Sequence, residues 1–276
     1  MQRYRKPHRI KKKKSILKNR FFWLSILFLI ILGEVFYLIF FSPFFQVKVI
    51  EISGNEKVSA ENLENLLNIK INQKVLFFSS QSIFLTNFKG IKREILKNFP
   101  QVEEADLKRK LPDTLLLLIR ERKPIAIFCF TPQPLEAGDR EASCFSIDKH
   151  GIIFEPSERK QDFVSLVKKI DAGMEKEISL GEEIVKEELL SKILEVEAKL
   201  KNELKIATEE ILVVSEANFF ARTLEDWQIY FNSREDLDWQ LTKLKMVLAE
   251  EIPQEKRQDL DYIDVRFGNF APYKYR

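Results

Sequence analysis

Two histidines, His8 and His150, and two cysteines, Cys129 and Cys144, stand in a chain of 276 residues. Acid–base, nucleophilic or metal chemistry therefore has few groups to draw on. His8 sits in a stretch crowded with Lys and Arg, and His150 sits in Asp148-Lys149-His150-Gly151, a tight-turn sequence. A nucleophile–histidine–acid constellation needs its imidazole beside the nucleophile, and a metal site needs several ligands at loop or helical spacing. Asp148 and His150, two apart on a turn, read as turn formers, since a short polar side chain bonds the backbone just after it. The 42 acidic residues leave carboxylate pairs for glycoside chemistry open, but no pair stands out. The expectation is no enzyme, no metal and no cofactor.

Cys129 and Cys144 each lie one residue inside the end of a strand-like run, IAIFCF and CFSIDKHGIIF. Between them is TPQPLEAGDREAS, the segment richest in breakers. If the two strands pair antiparallel, the thiols face each other at the base of that loop, within disulfide reach. The alternative is two buried thiols, or one buried and one exposed. Outside the membrane an oxidising compartment would permit the bridge, and the two readings stand level.

The charges are unevenly placed. Residues 1–20 carry Arg3, Arg5, Lys6, Arg9, Lys11, Lys12, Lys13, Lys14, Lys18 and Arg20 and no acid. Taking these ten from the 45 Lys+Arg leaves 35 against 42 Asp+Glu, so the remainder is acidic. Phe21 to Phe41, FFWLSILFLIILGEVFYLIFF, separates the two electrostatic parts. As a helix at about 1.5 Å per residue it is long enough to cross a bilayer. It is longer than the roughly 7–15 apolar residues of a cleaved signal, and no small-x-small site follows it. The basic tail, 1–20, belongs on the cytoplasmic side, and residues after Phe45 on the other. A nucleic-acid role for the tail is not favoured, because no aromatic residue interleaves with its lysine run. Glu34 lies near the middle of the span. An acid there costs on the order of 3 kcal/mol on insertion scales, which either a hydrogen bond to a partner's membrane helix offsets or the other twenty residues are apolar enough to carry.

The elements beyond the span alternate. FFQVKVIEISGN reads as a strand ending in turn residues; Ser59 suits a helix N-cap, with Leu63, Leu66 and Leu67 on one face behind it. A second helix covers Lys89 to Asn98, stopped by Pro100. QVEEADLKRK and TLLLLIRER then form an antiparallel hairpin about Leu111-Pro112-Asp113. After Pro124, IAIFCF, CFSIDKHGIIF and FVSLVKKI are three more strand-like runs. Lys186 to Leu204 repeats apolar residues at helical spacing. ILVVSEA and DWQIYFN are strands, and Leu237, Leu241, Leu244 and Leu248 mark a last helix. Tyr262 to Phe267 is the closing strand, followed by an aromatic tail. The fold class is α+β: strand-helix-helix-strand-strand, then a sheet carrying helices.

These phrases, in this order, resemble the FtsQ/DivIB family of bacterial cell-division proteins. The first part, 44–123, is similar to that family's POTRA domain through FQVKVIEISGN and NFPQVEEADLKRKLPDTLLLLIRERKPIA. The second, 124–269, is similar to its β domain through SIDKHGIIF, SLGEEI, DWQIYFNSREDLDWQLTKLKMVL and YIDVRFGN. The resemblance implies a divisome scaffold at the division septum, a single-pass type II protein of the inner membrane with no small-molecule substrate. It implies two small bitopic partners resembling FtsL and FtsB/DivIC, and a link to septal peptidoglycan synthesis. The family's last strands bind partners, and the matching last strand here is Tyr262 to Phe267; in and after it the candidate contacts are Arg266, Phe267, Gly268, Asn269, Phe270, Tyr273 and Tyr275, with Lys274 as a second basic group. A strand at a sheet edge gives the physical route, since its unpaired amides and carbonyls can take another chain's strand. Alternation places Val265 and Phe267 on one face and Arg266 on the other. The loop at 131–143 and the short tail, 270–276, depart from the family pattern. Two rivals remain at this stage: a membrane-anchored cell-wall enzyme, and a POTRA-containing translocation or assembly factor.

Overall fold

The computed structural model describes residues 20–75, 78–130, 143–158, 164–168 and 178–276. The basic tail up to residue 19, His8 with it, and nearly all of the breaker-rich loop lie outside the described residues.

Helix α1, Arg20–Phe40, is apolar on every side and buries none of its residues. Among the described residues it is the one helix long and apolar enough to cross a membrane. A short 3-10 turn, Pro43–Phe45, follows, its first amide region capped by the Ser42 hydroxyl, which accepts from the Phe44 N–H. Strand β1, Val49–Ser53, comes next. Helix α2, Ala60–Ile71, starts where Ser59 Oγ accepts the Asn62 N–H, and buries Leu63, Leu67 and Ile71, spaced four apart on one face. Strands β2, Gln73–Val75, and β3, Phe78–Ser80, form a small antiparallel pair that the sequence reading missed. Helix α3, Phe88–Asn98, opens with the Asn87 side chain accepting the Gly90 N–H. Strands β4, Val102–Lys110, and β5, Thr114–Glu121, are neighbours. β1 runs parallel to β5, from Val49 opposite Thr114 to Ser53 opposite Leu118, so β5 is the middle strand. A parallel partner demands a long crossover, and the helices between β1 and β5 supply it.

Among the described residues the other sheet has nine strands. They are β6 Ala126–Phe130, β7 Ser143–Ile147, β8 Ile153–Ser157, β9 Val164–Lys168, β10 Thr208–Val213, β11 Asn218–Thr223, β12 Gln228–Asn232, β13 Leu260–Asp264 and β14 Tyr273–Tyr275. Their spatial order is β14-β13-β12-β11-β10-β9-β6-β7-β8. Helices α4, Glu187–Asn202, and α5, Leu237–Glu250, lie on one face. Leu190, Ile193, Val196 and Leu200 of α4 and Leu241, Leu244 and Leu248 of α5 share one core with Phe128, Ile147, Phe219, Trp227, Phe231 and Ile263. Strands β11 and β12 bury alternate residues, and Phe219 stacks on Phe231 across them at 5.3 Å between ring centres.

By compactness the chain forms two units. One unit comprises residues up to Ser53 with Ser59–Lys92 and Asp106–Leu118; the other comprises Gly54–Val58, Arg93–Ala105 and Ile119–Arg276. Polar contacts knit the second unit. Arg122 forms a nearly dry ion pair with Asp148, and Lys149 reaches Glu103 at 3.1 Å. Glu121 accepts the backbone amides of Glu56, Lys57 and Val58 at 2.8–3.0 Å.

Several sequence expectations shift. CFSIDKHGIIF is two strands, β7 and β8, because the Asp148–Gly151 turn breaks it. NFFART, between the expected strands ILVVSEA and DWQIYFN, is a strand of its own, β11. Helix α4 ends at Asn202, two residues before Leu204. The closing strand stops at Asp264 and does not reach Phe267, and the tail expected beyond residue 269 returns as β14.

Candidate functional site

Strand β13 ends because Asp264, nearly buried, turns its carboxylate back on the next residues. Its Oδ1 accepts the Arg266 N–H at 3.1 Å and Nε–H at 2.8 Å, and its Oδ2 accepts Nη2–H at 2.5 Å. The guanidinium also lies 5.1 Å from the centre of the Tyr230 ring. Arg266 is thus held on the sheet by a charge-assisted fork and an aromatic face. Val265 is fully buried while Phe267 is 53 % exposed, so the two do not share a face: the chain has left β geometry after Asp264.

The turn that follows is held from below by α5. Lys243, only 5 % exposed, donates from Nζ to the carbonyl oxygens of Val265 at 2.6 Å, Phe267 at 2.7 Å and Phe270 at 3.4 Å. Burial pulls its ammonium below the ordinary lysine value, against a weaker upward pull from Asp264 and Glu235. One turn earlier, the Trp239 indole N–H donates to the Gly268 carbonyl at 3.0 Å. Those bonds fix the backbone and leave the large side chains outside. Phe270 is 75 % exposed, and Trp239 and Met246 are exposed beside it. Trp239, Met246, Val247, Phe270, Pro272 and Tyr273 line a shallow groove of about 1020 Å³ with Glu250 and Glu251 at its acidic side.

Strand β14 then pairs antiparallel with β13, Tyr275 opposite Leu260 and Tyr273 opposite Ile263. The rings of Tyr273 and Tyr275 meet edge to face at 5.6 Å and pack against the core, while Lys274 pairs with Asp261 at 3.2 Å. The Arg276 N–H donates to the Asp259 carbonyl at 2.8 Å, and its guanidinium reaches Asp226 at 2.8 Å. Among the described residues β14 has a single strand neighbour and forms one margin of the sheet; β8, at the other margin, carries Pro156.

Comparison with known proteins decides the family. The description "POTRA domain, FtsQ-type" matches residues 45–122, and "Cell division protein FtsQ/DivIB, C-terminal" matches residues 141–266. The chain belongs to the FtsQ/DivIB family. Among FtsQ/DivIB proteins, "Cell division protein DivIB" of Clostridium tetani is 28% identical over 242 residues, 84% of this chain and 80% of the relative. That of Clostridium acetobutylicum is 24% identical over 82% of each chain. "Cell division protein FtsQ" of Chloroflexus aurantiacus is 26% identical over 91% of this chain and 81% of its own.

In this FtsQ/DivIB chain the structure gathers most of the residues singled out from sequence around one turn and one strand. Phe267, Gly268, Asn269 and Phe270 make the turn, and Tyr273 and Tyr275 make β14. Arg266 stands apart in role, because its charge is already spent on Asp264. Sequence reasoning missed Lys243 and Trp239. The available signal was a lysine set one residue from Leu244 on the apolar side of α5. Glu34 lies on α1 with an exposed side chain, next to a notch at Gly33 lined also by Ile30 and Tyr37.

The remaining chemistry-bearing groups make a turn, ion pairs and a disulfide. Asp148 Oδ1 accepts the N–H groups of His150 and Ile152, both at 3.0 Å, which forms the turn. Gly151, at φ 72°, allows it: a Cβ there would run into the Val185 carbonyl. His150 Nδ1 lies 2.6 Å from Glu187 and its Nε2 3.5 Å from Glu103. Cys129 and Cys144 are opposite one another in the β6–β7 ladder and their sulfurs are bonded.

Proposed function

We propose that the chain is a membrane-anchored scaffold of the division machinery, whose β14 margin and adjoining aromatic turn capture small single-pass membrane partners resembling FtsL and FtsB/DivIC. The observation that carries this reading is the conjunction of a strand with one open side and a pre-formed, buried-lysine-braced turn that holds Phe267 and Phe270 in solvent. A partner strand added to β14 gains main-chain hydrogen bonds, and exposed rings beside it supply anchor contacts. Family membership supports the setting, because the relatives named above are cell-division proteins.

In this reading α1 spans the membrane with the basic tail in the cytoplasm, the regions 44–123 and 124–269 act outside it at the septum, and partner capture helps couple division-site assembly to septal peptidoglycan synthesis. Glu34 hydrogen-bonds a partner's membrane helix; Glu34→Leu should weaken crosslinking within the bilayer and leave capture at β14 intact. The main test uses the full chain in its native membrane with a photo-crosslinking residue at Phe270 or Tyr273 and, as reference, at the exposed Leu224. Mass identification should find small bitopic proteins at the first two positions only. No adduct at either, or the same adducts at all three, would overturn the reading.

A further inference from the structure

Helix α1 ends in an unusual way. The last carbonyls of a helix lack intrahelical donors, and at the edge of hydrocarbon they need partners. Here three carbonyls at the helix end receive side-chain donors from the segment just beyond the helix, from the last residue of β3 and from the loop after it. Ser82 Oγ donates to the Ile39 carbonyl at 2.8 Å, Ser80 Oγ to that of Phe40 at 2.5 Å, and Gln46 Nε2 to that of Phe41 at 3.2 Å. Backbone bonds reinforce the join, from the Val47 N–H to the Gln81 carbonyl at 3.0 Å and from the Ile83 N–H to the Phe45 carbonyl at 2.9 Å. The loop at 80–87 is therefore docked on the helix end instead of hanging from a free linker.

That loop is also fixed from behind. Arg109, on β4, donates from Nε to the Ile83 carbonyl at 2.6 Å and from Nη2 to that of Thr86 at 3.2 Å, with its guanidinium 4.2 Å from the Phe88 ring centre. Thr86 Oγ1 bonds the Ser82 carbonyl at 3.3 Å. Ile83 and Thr86 are buried, yet Phe84 between them is 40 % exposed. Its ring meets Phe45 edge to face at 5.2 Å, and Phe45 meets Phe44 in the same manner at 4.9 Å; Phe44 is 59 % exposed. A braced loop thus presents an apolar ring beside two others, within five residues of the end of a 21-residue apolar helix.

We propose that Phe44, Phe45 and Phe84 form a lipid-contacting surface that seats the first unit on the outer interface of the bilayer. The occupant follows from continuity: a helix of this length reaches the far edge of the hydrocarbon near residue 41, so the three apolar rings emerge beside the acyl chains, where leaving water is favourable. Phe44 and Phe45 arrive there by chain position; Phe84 arrives by the serine and arginine hydrogen bonds. The inference rests on the reading of α1 as a membrane span.

The test is nitroxide accessibility in the full chain, reconstituted in phosphatidylcholine–phosphatidylglycerol vesicles. Labels are attached to Phe44→Cys, Phe84→Cys, Leu32→Cys and Leu224→Cys, with the unsubstituted chain as background. Oxygen partitions into lipid and a nickel chelate into water. Positions 44 and 84 should favour oxygen several-fold more than the exposed position 224, and Ser80→Ala with Ser82→Ala should lower the preference at 84 while that at 32 persists. Lipid contact at 32 with 44 and 84 as wet as 224 overturns the seating alone. Absence of lipid contact at 32 overturns the membrane span and the seating with it.

Discussion

The Lys243 ammonium lies 2.6 Å from the Val265 carbonyl oxygen, so a buried charge on α5 ends in the backbone of the turn that follows β13. Two further carbonyls share it. An isosteric apolar replacement removes all three bonds while filling the same space. Lys243→Met should lower unfolding stability in urea by about 2 kcal/mol, since removing one charged partner leaves buried acceptors unmet. It should also weaken partner capture, because the turn loses the bonds that set its shape. Unchanged stability and capture would show that the brace carries no weight.

Phe267 and Phe270 contribute little to the fold, being 53 % and 75 % exposed. Phe270→Ser and Phe267→Ser should each move the melting free energy by no more than about 0.5 kcal/mol, the usual range for surface changes. Partner affinity should nevertheless fall about tenfold or more for at least one of them, as truncated aromatic anchors do. Equal affinity for both variants and the parent, measured with a purified partner, removes the turn from the interface.

The Cys129–Cys144 bond closes a loop of sequence separation 15. Intact mass under alkylation without reductant should show both thiols blocked, and reductant should release two. Replacing both cysteines should cost about 3 kcal/mol of unfolding free energy by the loop-entropy relation. Free thiols in the folded, unreduced chain would contradict the bond.

His150 provides a pH signature. Its hydrogen bond to Glu187 raises its pKa first of all, desolvation opposes, and the charges of Glu187 and Asp148 add to the rise; Lys149 opposes weakly. Glu103, also facing the ring, is itself held low: burial pushes it up, but Lys149, Arg120 and His150 outweigh that. A histidine raised in the folded state stabilises below its unfolded value, and that contribution fades as pH rises through the folded value. The parent should therefore melt above His150→Asn at about pH 5.5, with the gap closing by about pH 9, well above the ordinary imidazole range. A gap independent of pH would assign His150 a packing role only.

Much of this architecture is legible in the residues because local signals agree with tertiary needs. The run to Phe41 declares a helix by composition, Ser59 with Leu63 and Leu67 declares one by cap and spacing, and the α5 leucines repeat on the face that joins the core. The site is less legible. Tyr273-Lys274-Tyr275 is too short to signal a strand; it becomes one only because β13 offers an unpaired edge and Arg276 is tied to Asp226 and Asp259. The end of β13 depends on a carboxylate two residues back from its guanidinium, a contact with no period to read. Lys243 looks like a solvated helix charge until the turn it serves is placed above it.

Pro156 gives the two ends of the nine-stranded sheet unequal fates. It lacks the amide hydrogen that an incoming strand would use, so β8 is a poor template, whereas β14 has no such break. Copies of this chain are thereby hindered from joining margin to opposite margin into an open-ended filament, a route that head-to-tail contacts otherwise favour. In the proposed capture a partner strand therefore has one usable margin on this sheet, β14, and no equivalent place at β8.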